Sequence, residues 1–363
     1  MKLSNTLYCL KRKKALRVAY FGGSITEGGA ENGWRGRTTA WLRTTFPNAE
    51  ITEIQAAIGG TGSGLGAYRC DRDVVDHKPD LTFIEFAVND SGAKTEDTQR
   101  NIEACVRKIM RANPQGEIMF VYTTTKSIWD KLGEGKPYVS RDVDEGIASY
   151  YNWPSVDIGT PLAEAVMRAG GDWLKYTGDT VHPNAEGYAF CARAAIDALS
   201  ELLSGDVPEQ PVTHPLPIPM VDNVPESAHL YDAQPLCTET AQPDTAVEHG
   251  WKRLMLTLAG RWPDTIGANR PNAELTIPFH GTSIALYYMI ASDSGMFEWQ
   301  IDGGEWKRYN TFDHYALAFA RAAFALLQDD LPCGDHMLTL RVCGEKDEQS
   351  TGRWIRIGAY GTR

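Results

Sequence analysis

The chain has 363 residues, of which 42% are hydrophobic and 23% charged, a composition typical of a globular protein with about two domains. It excludes a disordered, collagen-like or coiled-coil chain. The 47 acidic residues outnumber the 36 basic ones and give a net charge of −11. Because the average field of such a protein repels a polyanion, nucleic acid is not an expected partner.

The cysteines and the N-terminal residues bear on the cellular compartment. The seven cysteines are scattered and form no C-x-x-C pair, which argues against a disulfide framework and a zinc site. The basic run Lys11–Lys14 follows a weakly apolar start, whereas a secretory signal peptide has its basic residues first. No window is long and apolar enough to span a membrane. These features predict a cytoplasmic protein that does not contact membranes.

Residues 1–205 alternate short apolar runs with amphipathic helical stretches. The apolar runs predict strands at Val18–Phe21, Ile51–Gln55, Leu81–Val88, Glu117–Tyr122 and Val156–Ile158. The amphipathic stretches predict helices at Gly33–Phe46, Leu65–His77, Thr98–Ala112 and Ala185–Leu203. This alternation predicts a parallel sheet with helices on both faces, in which ligands bind at the carboxyl ends of the strands.

The second half of the chain has a different pattern. Residues 206–245 are rich in proline and predict an extended linker that packs along the surface. Residues 246–363 contain many short strand-like runs separated by turn signals, which predicts a β-sandwich. These runs are Arg253–Leu258, Ala273–Phe279, Ser283–Ile290, Met296–Ile301, Met337–Val342 and Trp354–Ala359. The apolar stretch Tyr315–Leu327 departs from this pattern and predicts a helix or a long buried loop.

Hydrogen-bond donors follow the first three predicted strands. Ser24, in the run Phe21–Gly28, can present its hydroxyl and its backbone N–H to a substrate carbonyl. The backbone N–H of Gly60 and the side-chain amide of Asn89 can point into the same crevice. Three donors that converge on one oxyanion are what acyl transfer requires. Taken singly, Ser24 is more typical of a helix N-cap, and Asn89 is equally typical of an Asx turn that closes the strand.

A further segment, Thr177–Asn184, places Asp179 three residues before His182 and just before the last predicted helix. The carboxylate can hold one imidazole nitrogen and leave the other free to take a proton from a serine. The other histidine of the first domain, His77, lies in a polar stretch typical of a solvated loop. An isolated Asp-x-x-His is usually surface capping, so the assignment depends on the three preceding segments.

Together, the four segments resemble the four blocks of the SGNH (GDSL-type) hydrolase superfamily over residues 16–203. The resemblance implies a flavodoxin-like α/β/α fold and a serine ester hydrolase that needs no cofactor or metal. It implies that Ser24 is the nucleophile, His182 the general base and Asp179 its orienting acid. It assigns the oxyanion hole to Ser24, Gly60 and Asn89. The sequence departs from the family pattern at Gly23, where Asp is usual, and at Gln55, where Asn is frequent.

A catalytic domain of this type followed by an aromatic-rich, jelly-roll-like sandwich resembles two-domain bacterial carbohydrate acetylesterases. The resemblance implies deacetylation of O-acetylated carbohydrates or oligosaccharides, with residues 246–363 similar to a carbohydrate-binding module. If the sandwich leans over the active site, Trp34, Trp299 and Trp306 are expected to line the crevice. The alternative is a small-acyl esterase, lipase or thioesterase whose C-terminal domain is purely structural. The sequence leaves open whether the chain forms a homo-oligomer.

A dinucleotide-binding protein is a remote alternative. The run Gly62–Ala67 fits the G-x-G-x-x-A pattern, and Asp80 follows about twenty residues later. However, the run begins several residues after the strand, and Asp80 precedes the third strand instead of ending it. This interpretation leaves Ser24 and the pair Asp179 and His182 unexplained. A non-catalytic binding protein on the same fold is the other remote alternative.

Overall fold

The computed structural model describes residues 2–241, 250–257 and 264–363. The chain divides into two compact units, Met1–Glu226 and Ser227–Arg363. The division falls inside the segment predicted as a linker. In the described residues, no helix is long and apolar enough to cross a membrane.

In the described residues of the first unit, five parallel strands form one sheet in the order β2-β1-β3-β4-β5. The strands are β1 (Ala15–Gly22), β2 (Glu50–Gln55), β3 (Leu81–Glu85), β4 (Glu117–Tyr122) and β5 (Ser155–Asp157). Every residue of β3 and β4 is buried, which is why their sequences are continuous apolar runs with little polar alternation. The order is that of flavodoxin-like folds, in which the switch point lies between β1 and β3.

Helices cover both faces of this sheet. They are α1 (Ser4–Tyr8), α2 (Ser24–Glu27), α3 (Trp34–Thr45), α4 (Ser63–Asp73), α5 (Thr95–Ala112), α6 (Lys126–Gly133), α7 (Val139–Tyr150), α8 (Gly159–Arg168) and α9 (Ala185–Leu202). Alternate residues of β1 serve the two cores: Val18 and Tyr20 pack with α3, α8 and α9, whereas Ala19 and Phe21 pack with α4, α5 and α7.

The predicted strands and helices of the first unit are confirmed, with ends shifted by a few residues. The largest shift is at α4, which ends at Asp73 instead of His77, and β3 ends at Glu85 instead of Val88. Helices α1, α2, α6, α7 and α8 are not among the helices predicted from the sequence. Of these, α1 continues through Cys9–Lys13 as a π-helical turn, so the basic run at Lys11–Lys14 is the exposed end of a helix.

The proline-rich stretch 206–226 packs on the first unit and does not stand apart from it. Asn5 exchanges hydrogen bonds with the backbone of Val212, 2.7 Å from Nδ2 to the carbonyl oxygen and 2.8 Å from the N–H to Oδ1. Glu226 forms ion pairs with Arg107 and Arg111 of α5. Proline lacks the N–H that sheets and helices need, so this stretch is held by side chains that reach its backbone. Residues 242–245 of the predicted linker lie outside the described residues.

The described residues of the second unit form two sheets around one core. Their strands are β6 (His229–Asp232), β7 (Thr240–Ala241), β8 (Lys252–Leu254), β9 (Thr265–Ala268), β10 (Glu274–Gly281), β11 (Ile284–Ile290), β12 (Met296–Ile301), β13 (Lys307–Asn310), β14 (Arg321–Gln328), β15 (Gly334–Val342) and β16 (Ile355–Thr362). One sheet has the order β10-β15-β12-β13. The other has the order β14-β11-β16-β9-β8-β7, with β6 also paired to β16. The predicted β-sandwich is confirmed.

The expectation of a helix or a long buried loop at Tyr315–Leu327 is wrong. The stretch begins with a 3-10 turn at His314–Leu317 and continues as β14, an edge strand paired with β11. Its alanines and leucines give a high apolar content without a period of two, a pattern that predicts a helix as readily as a strand. For the strand predicted at Arg253–Leu258, the structure shows β8, and Leu258 lies outside the described residues.

Candidate active site

Ser24 lies directly beyond the carboxyl end of β1, at the first residue of the short helix α2. Gly23 connects the two in an extended conformation, and a Cβ on Gly23 would lie 1.9 Å from Oδ1 of Asn89. No side chain fits at position 23 without displacing Asn89. The departure from the family pattern at Gly23 therefore has a local steric reason in this chain.

A chain of hydrogen bonds joins Ser24 to the segment before α9. Nε2 of His182 lies 2.8 Å from Oγ of Ser24, and Nδ1 of His182 lies 2.7 Å from Oδ2 of Asp179. A carboxylate at Nδ1 fixes the tautomer in which Nε2 is free to accept the serine proton. The structure thus brings together Ser24, His182 and Asp179, which are up to 158 residues apart in sequence.

The backbone of the loop holds Asp179 in place. Its Oδ1 accepts the N–H groups of Val181 (3.1 Å) and His182 (2.8 Å), which leaves Oδ2 for the imidazole. Partial burial acts to raise the pKa of Asp179, but the hydrogen bonds from His182 and Val181 outweigh burial and lower the pKa below its usual value. The carboxylate of Asp179 can therefore serve as the counter-charge of a protonated His182 imidazole.

The same loop is fixed at both ends. Thr177 and Pro183 form a β-bridge, and Thr180 between them has the left-handed φ of 68°. Asn184 caps α9, its Oδ1 accepting the N–H groups of Glu186 and Gly187, each at 3.0 Å. His182 thus lies between a closed loop and the capped start of a long helix.

Gly60 and Asn89 lie on the two segments that flank Ser24. Gly60 follows β2 and has a φ of +72°, a left-handed conformation that glycine adopts without strain. A Cβ on the preceding Gly59 would be 3.5 Å from Cβ of Ser24, so this loop runs directly against the serine. Asn89 follows β3 and is half-buried beside Gly23. The structure thus places Gly60 and Asn89 on loops that border the turn of Gly23 and Ser24.

Buried carboxyl groups lie beneath this edge of the sheet, and the sequence analysis missed them. Glu85, the last residue of β3, accepts the hydroxyls of Thr26 (2.8 Å) and Thr123 (2.7 Å) as well as the N–H of Gly23. Burial raises the pKa of Glu85 to about 7. Burial also raises the pKa of Asp90 to about 6 and that of Asp144 well above its usual value. The only sequence signal was a charged residue inside the apolar run Leu81–Val88, which we read as a simple buried strand.

A cavity of about 390 Å³ opens beside the serine and the histidine. Its wall is formed by the turn after α2 and the start of α9, including Gly28, Asn32, Pro183 and Tyr188. Among the described residues, no group of three or more His, Cys, Asp or Glu side chains is placed to hold a metal ion.

Of the three tryptophans expected to line a crevice, Trp34 belongs to the first unit and Trp299 and Trp306 belong to the second. Trp34 is fully buried, packs edge-on against Tyr20 and Phe83, and donates to Oγ1 of Thr26 at 3.3 Å. It is a core residue beneath α2, so the expectation for Trp34 is wrong. Trp299 is likewise buried, 5% exposed, in the core of the second unit. Trp306 is half-buried there, with the guanidinium of Arg341 4.1 Å from the centre of its ring.

The positions of Asp80 and of the glycines at 62–67 also argue against the dinucleotide-binding alternative. Asp80 accepts the backbone N–H of Arg17 at 2.7 Å and the ammonium of Lys13 at 2.9 Å, at the amino end of the sheet. A ribose-binding acid would have to lie at the carboxyl end. Gly62 and Gly66 belong to the start of α4, where a Cβ on Gly66 would be 3.1 Å from the ring of Phe86. Gly66 therefore permits close packing of α4 on the segment that follows β3.

Residues 20–190 match the model of the family described as GDSL-like Lipase/Acylhydrolase. The matched residues all lie in the first unit. The resemblance drawn from the sequence is confirmed, and the protein is a carboxylic ester hydrolase of the GDSL type, a serine esterase.

Two solved structures have the fold of both units of this GDSL-type esterase. Both are of a two-domain esterase (CEX) active on acetylated mannans, in one case co-crystallized with mannopentaose. Their TM-scores are 0.79 and 0.80, their sequence identities 22% and 21%, and each alignment covers 99% of this chain and 95% of the other. No curated protein sequence matches this chain.

Proposed function

We propose that the protein removes O-acetyl groups from carbohydrates or oligosaccharides, with Ser24 as nucleophile, His182 as general base and general acid, and Asp179 as the residue that orients His182. The observation that carries the proposal is the continuous hydrogen-bonded chain from Oγ of Ser24 through both ring nitrogens of His182 to Asp179. In this proposal the first unit is the catalytic domain and the second a carbohydrate-binding-module-like domain.

The first half of the reaction forms an acyl-enzyme. Oγ of Ser24 bonds to the ester carbonyl carbon while its proton passes to Nε2 of His182. The carbonyl oxygen becomes an oxyanion, which accepts hydrogen bonds from the N–H of Ser24, the N–H of Gly60 and the side-chain amide of Asn89. When the carbon–oxygen bond to the sugar breaks, His182 returns the proton to the leaving hydroxyl.

The second half reverses the first with water in place of the sugar. Water bonds to the acyl carbon, its proton passes to Nε2 of His182, and the bond to Oγ of Ser24 breaks as the proton returns to that oxygen. Acetate leaves, and the enzyme is restored. The step needs no cofactor, because the charge changes are balanced by one imidazole and by the donors of the oxyanion hole.

The choice of an acetylated sugar rests on two observations. The fold likeness to an esterase active on acetylated mannans extends along 99% of this chain, and thus over both units. The cavity beside Ser24, about 390 Å³, has room for an acetyl group and part of a sugar ring. A small-acyl esterase or thioesterase would need only the first unit.

The test is acetate release from a panel of acetylated oligosaccharides, acetylated manno-oligosaccharides among them, by the wild type and by Ser24→Ala. We expect release by the wild type and a loss of at least about 10³-fold in the variant. Release from an aryl acetate but from none of the glycans would contradict the carbohydrate substrate. Full activity of a folded Ser24→Ala variant would contradict the serine mechanism.

A further inference from the structure

The loop that carries Gly60 is held by carboxylates from two other segments of the chain. Oε2 of Glu27 accepts the N–H of Gly59 at 2.7 Å. Oδ1 of Asp90 accepts the N–H of Ser63 at 3.0 Å, and the hydroxyl of Ser63 also bonds to this carboxyl. Gly60 lies between the two anchored N–H groups, one residue from the first and three from the second.

Each carboxylate lies on the segment that provides another proposed oxyanion donor. Glu27 is one helical turn after Ser24 in α2, and its own N–H bonds to the carbonyl of Gly23 at 3.0 Å. Asp90 directly follows Asn89. The two contacts therefore fix the Gly60 loop relative to Ser24 on one side and to Asn89 on the other.

The loop backbone packs directly onto these carboxylates. A Cβ on Gly59 would be 2.8 Å from Oε2 of Glu27, and a Cβ on Gly62 would be 2.1 Å from Oδ1 of Asp90. Distances this short leave no room for a side chain unless the carboxylate moves. The glycines on either side of Gly60 thus permit the contacts that set its position.

Of the two contacts, the one made by Asp90 requires the burial of a carboxyl group. Asp90 is only 5% exposed, and its Oδ2 has no hydrogen-bond partner among the described residues. Leaving a buried carboxyl oxygen without a partner costs free energy, so core packing alone does not account for Asp90. The loop contact gives the group a structural task at the site.

We propose that Glu27 and Asp90 are positioning residues that hold the N–H of Gly60 where the oxyanion of the transition state forms. The proposal rests on the function proposed above. Neither residue touches the reacting atoms in this scheme. Each acts through the loop, and a displacement of Gly60 by a few tenths of an ångström weakens a hydrogen bond that matters most in the transition state.

The test compares Glu27→Ala, which removes the acceptor, with Glu27→Gln, which keeps an amide oxygen able to accept the N–H of Gly59. We expect Glu27→Ala to lower kcat for an aryl acetate about 10-fold to 100-fold, with KM changed less than about 3-fold. Glu27→Gln should restore most of kcat. Glu50→Ala, an exposed glutamate at the amino end of β2, is the matched control and should behave as wild type.

A second readout separates positioning from general structural damage. The wild type should prefer 4-nitrophenyl acetate over its thionoacetate analogue, because thiocarbonyl sulfur accepts hydrogen bonds poorly in an oxyanion hole. Glu27→Ala should reduce this preference, since it has less oxyanion stabilisation to lose. Asp90→Asn, chosen over Asp90→Ala to preserve the fold, should do the same to a smaller extent.

The outcomes are distinct. If Ser24→Ala abolishes acetate release but Glu27→Ala and Asp90→Asn keep wild-type kcat and oxygen-to-sulfur preference, the positioning role is wrong and the proposed function stands. Equal losses on both esters in folded variants would also contradict positioning of the oxyanion hole. If Ser24→Ala retains activity, the proposed function fails and this inference fails with it.

Discussion

The candidate site has two halves that are built in different ways. The nucleophile half, with Ser24, Gly60 and Asn89, lies against the core at the switch point between β1 and β3, above the buried carboxyl of Glu85. The histidine half is a surface loop, in which the side chains of His182 and Asp179 are 44% and 55% exposed.

Ser24 and His182 are therefore held in place by different kinds of interaction. Core packing positions Ser24, so substitutions near it are expected to change both folding stability and activity. Hydrogen bonds within eight consecutive residues, Thr177–Asn184, position His182, so substitutions there are expected to change activity with little loss of stability. The predictions below test this contrast.

The largest expected effect is that of His182→Ala. Because the imidazole carries the proton in both halves of the proposed reaction, kcat should fall on the order of 10⁴-fold or more. The melting temperature should stay within about 1 °C of wild type, since the ring is half exposed. Steady-state kinetics and thermal unfolding measure the two quantities. The exposed His77, changed to Ala, is the control and should leave both unchanged.

Asp179→Asn should have the next largest effect. The amide keeps an oxygen for the N–H groups of Val181 and His182 but no longer stabilises the imidazolium or fixes its tautomer. We expect a fall in kcat of about 10²–10⁴-fold without loss of stability. A variant as active as wild type would show that the carboxylate does not orient the base. Asp76→Asn, exposed and remote from the site, is the control.

The substitution Glu85→Gln tests the nucleophile half through the pH dependence of the free energy of unfolding. The pKa of Glu85 is raised from its usual 4.5 to about 7, so the folded protein binds the proton more tightly than the unfolded chain between those values. The free energy of unfolding of the wild type should therefore fall, relative to that of Glu85→Gln, by about 3 kcal/mol as the pH rises from 4.5 to above 7. The carboxyls that face Glu85, Asp90 and Asp144, are unchanged in the variant and contribute to both curves.

Denaturant unfolding at several pH values measures this difference. A constant difference between wild type and Glu85→Gln across the window would mean that Glu85 has an ordinary pKa.

The smallest expected effect is that of Asn184→Ala. The loss of the cap of α9 should cost about 1 kcal/mol of stability and lower kcat only a few-fold, because His182 lies just before the cap. Asn184→Ser, which keeps a capping oxygen, should recover most of the stability. If Asn184→Ala reduced kcat as strongly as His182→Ala, the loop would depend on the helix more than its internal hydrogen bonds suggest.

The sequence predicted those residues of the candidate site that follow the ends of strands. Ser24, Gly60 and Asn89 follow three successive apolar runs, and parallel strands bring their carboxyl ends to one edge, so proximity followed from the fold class. The catalytic roles given to these residues, to Asp179 and to His182 stay predictions. The cytoplasmic location likewise stays a prediction.

Other features depend on tertiary contacts that no local pattern contains. The sequence does not show that Glu27 bonds to Gly59, thirty-two residues away, or that Glu85 lies under Gly23. Trp34 looked like a crevice residue because it is close to Ser24 in the chain, but its helix turns it into the core. In the second unit, β14 was missed because its alanines and leucines do not alternate with polar residues.

The central claim is that Ser24 is an activated nucleophile. Its most direct test is covalent labelling with a fluorophosphonate, in which an activated serine oxygen bonds to phosphorus and displaces fluoride. The account predicts that one equivalent bonds to Oγ of Ser24, as located by peptide mass spectrometry, and that acetate release falls in proportion. His182→Ala should label far more slowly. Inactivation of the wild type with the phosphonate on a residue other than Ser24, or full activity of a protein labelled at Ser24, would contradict the account.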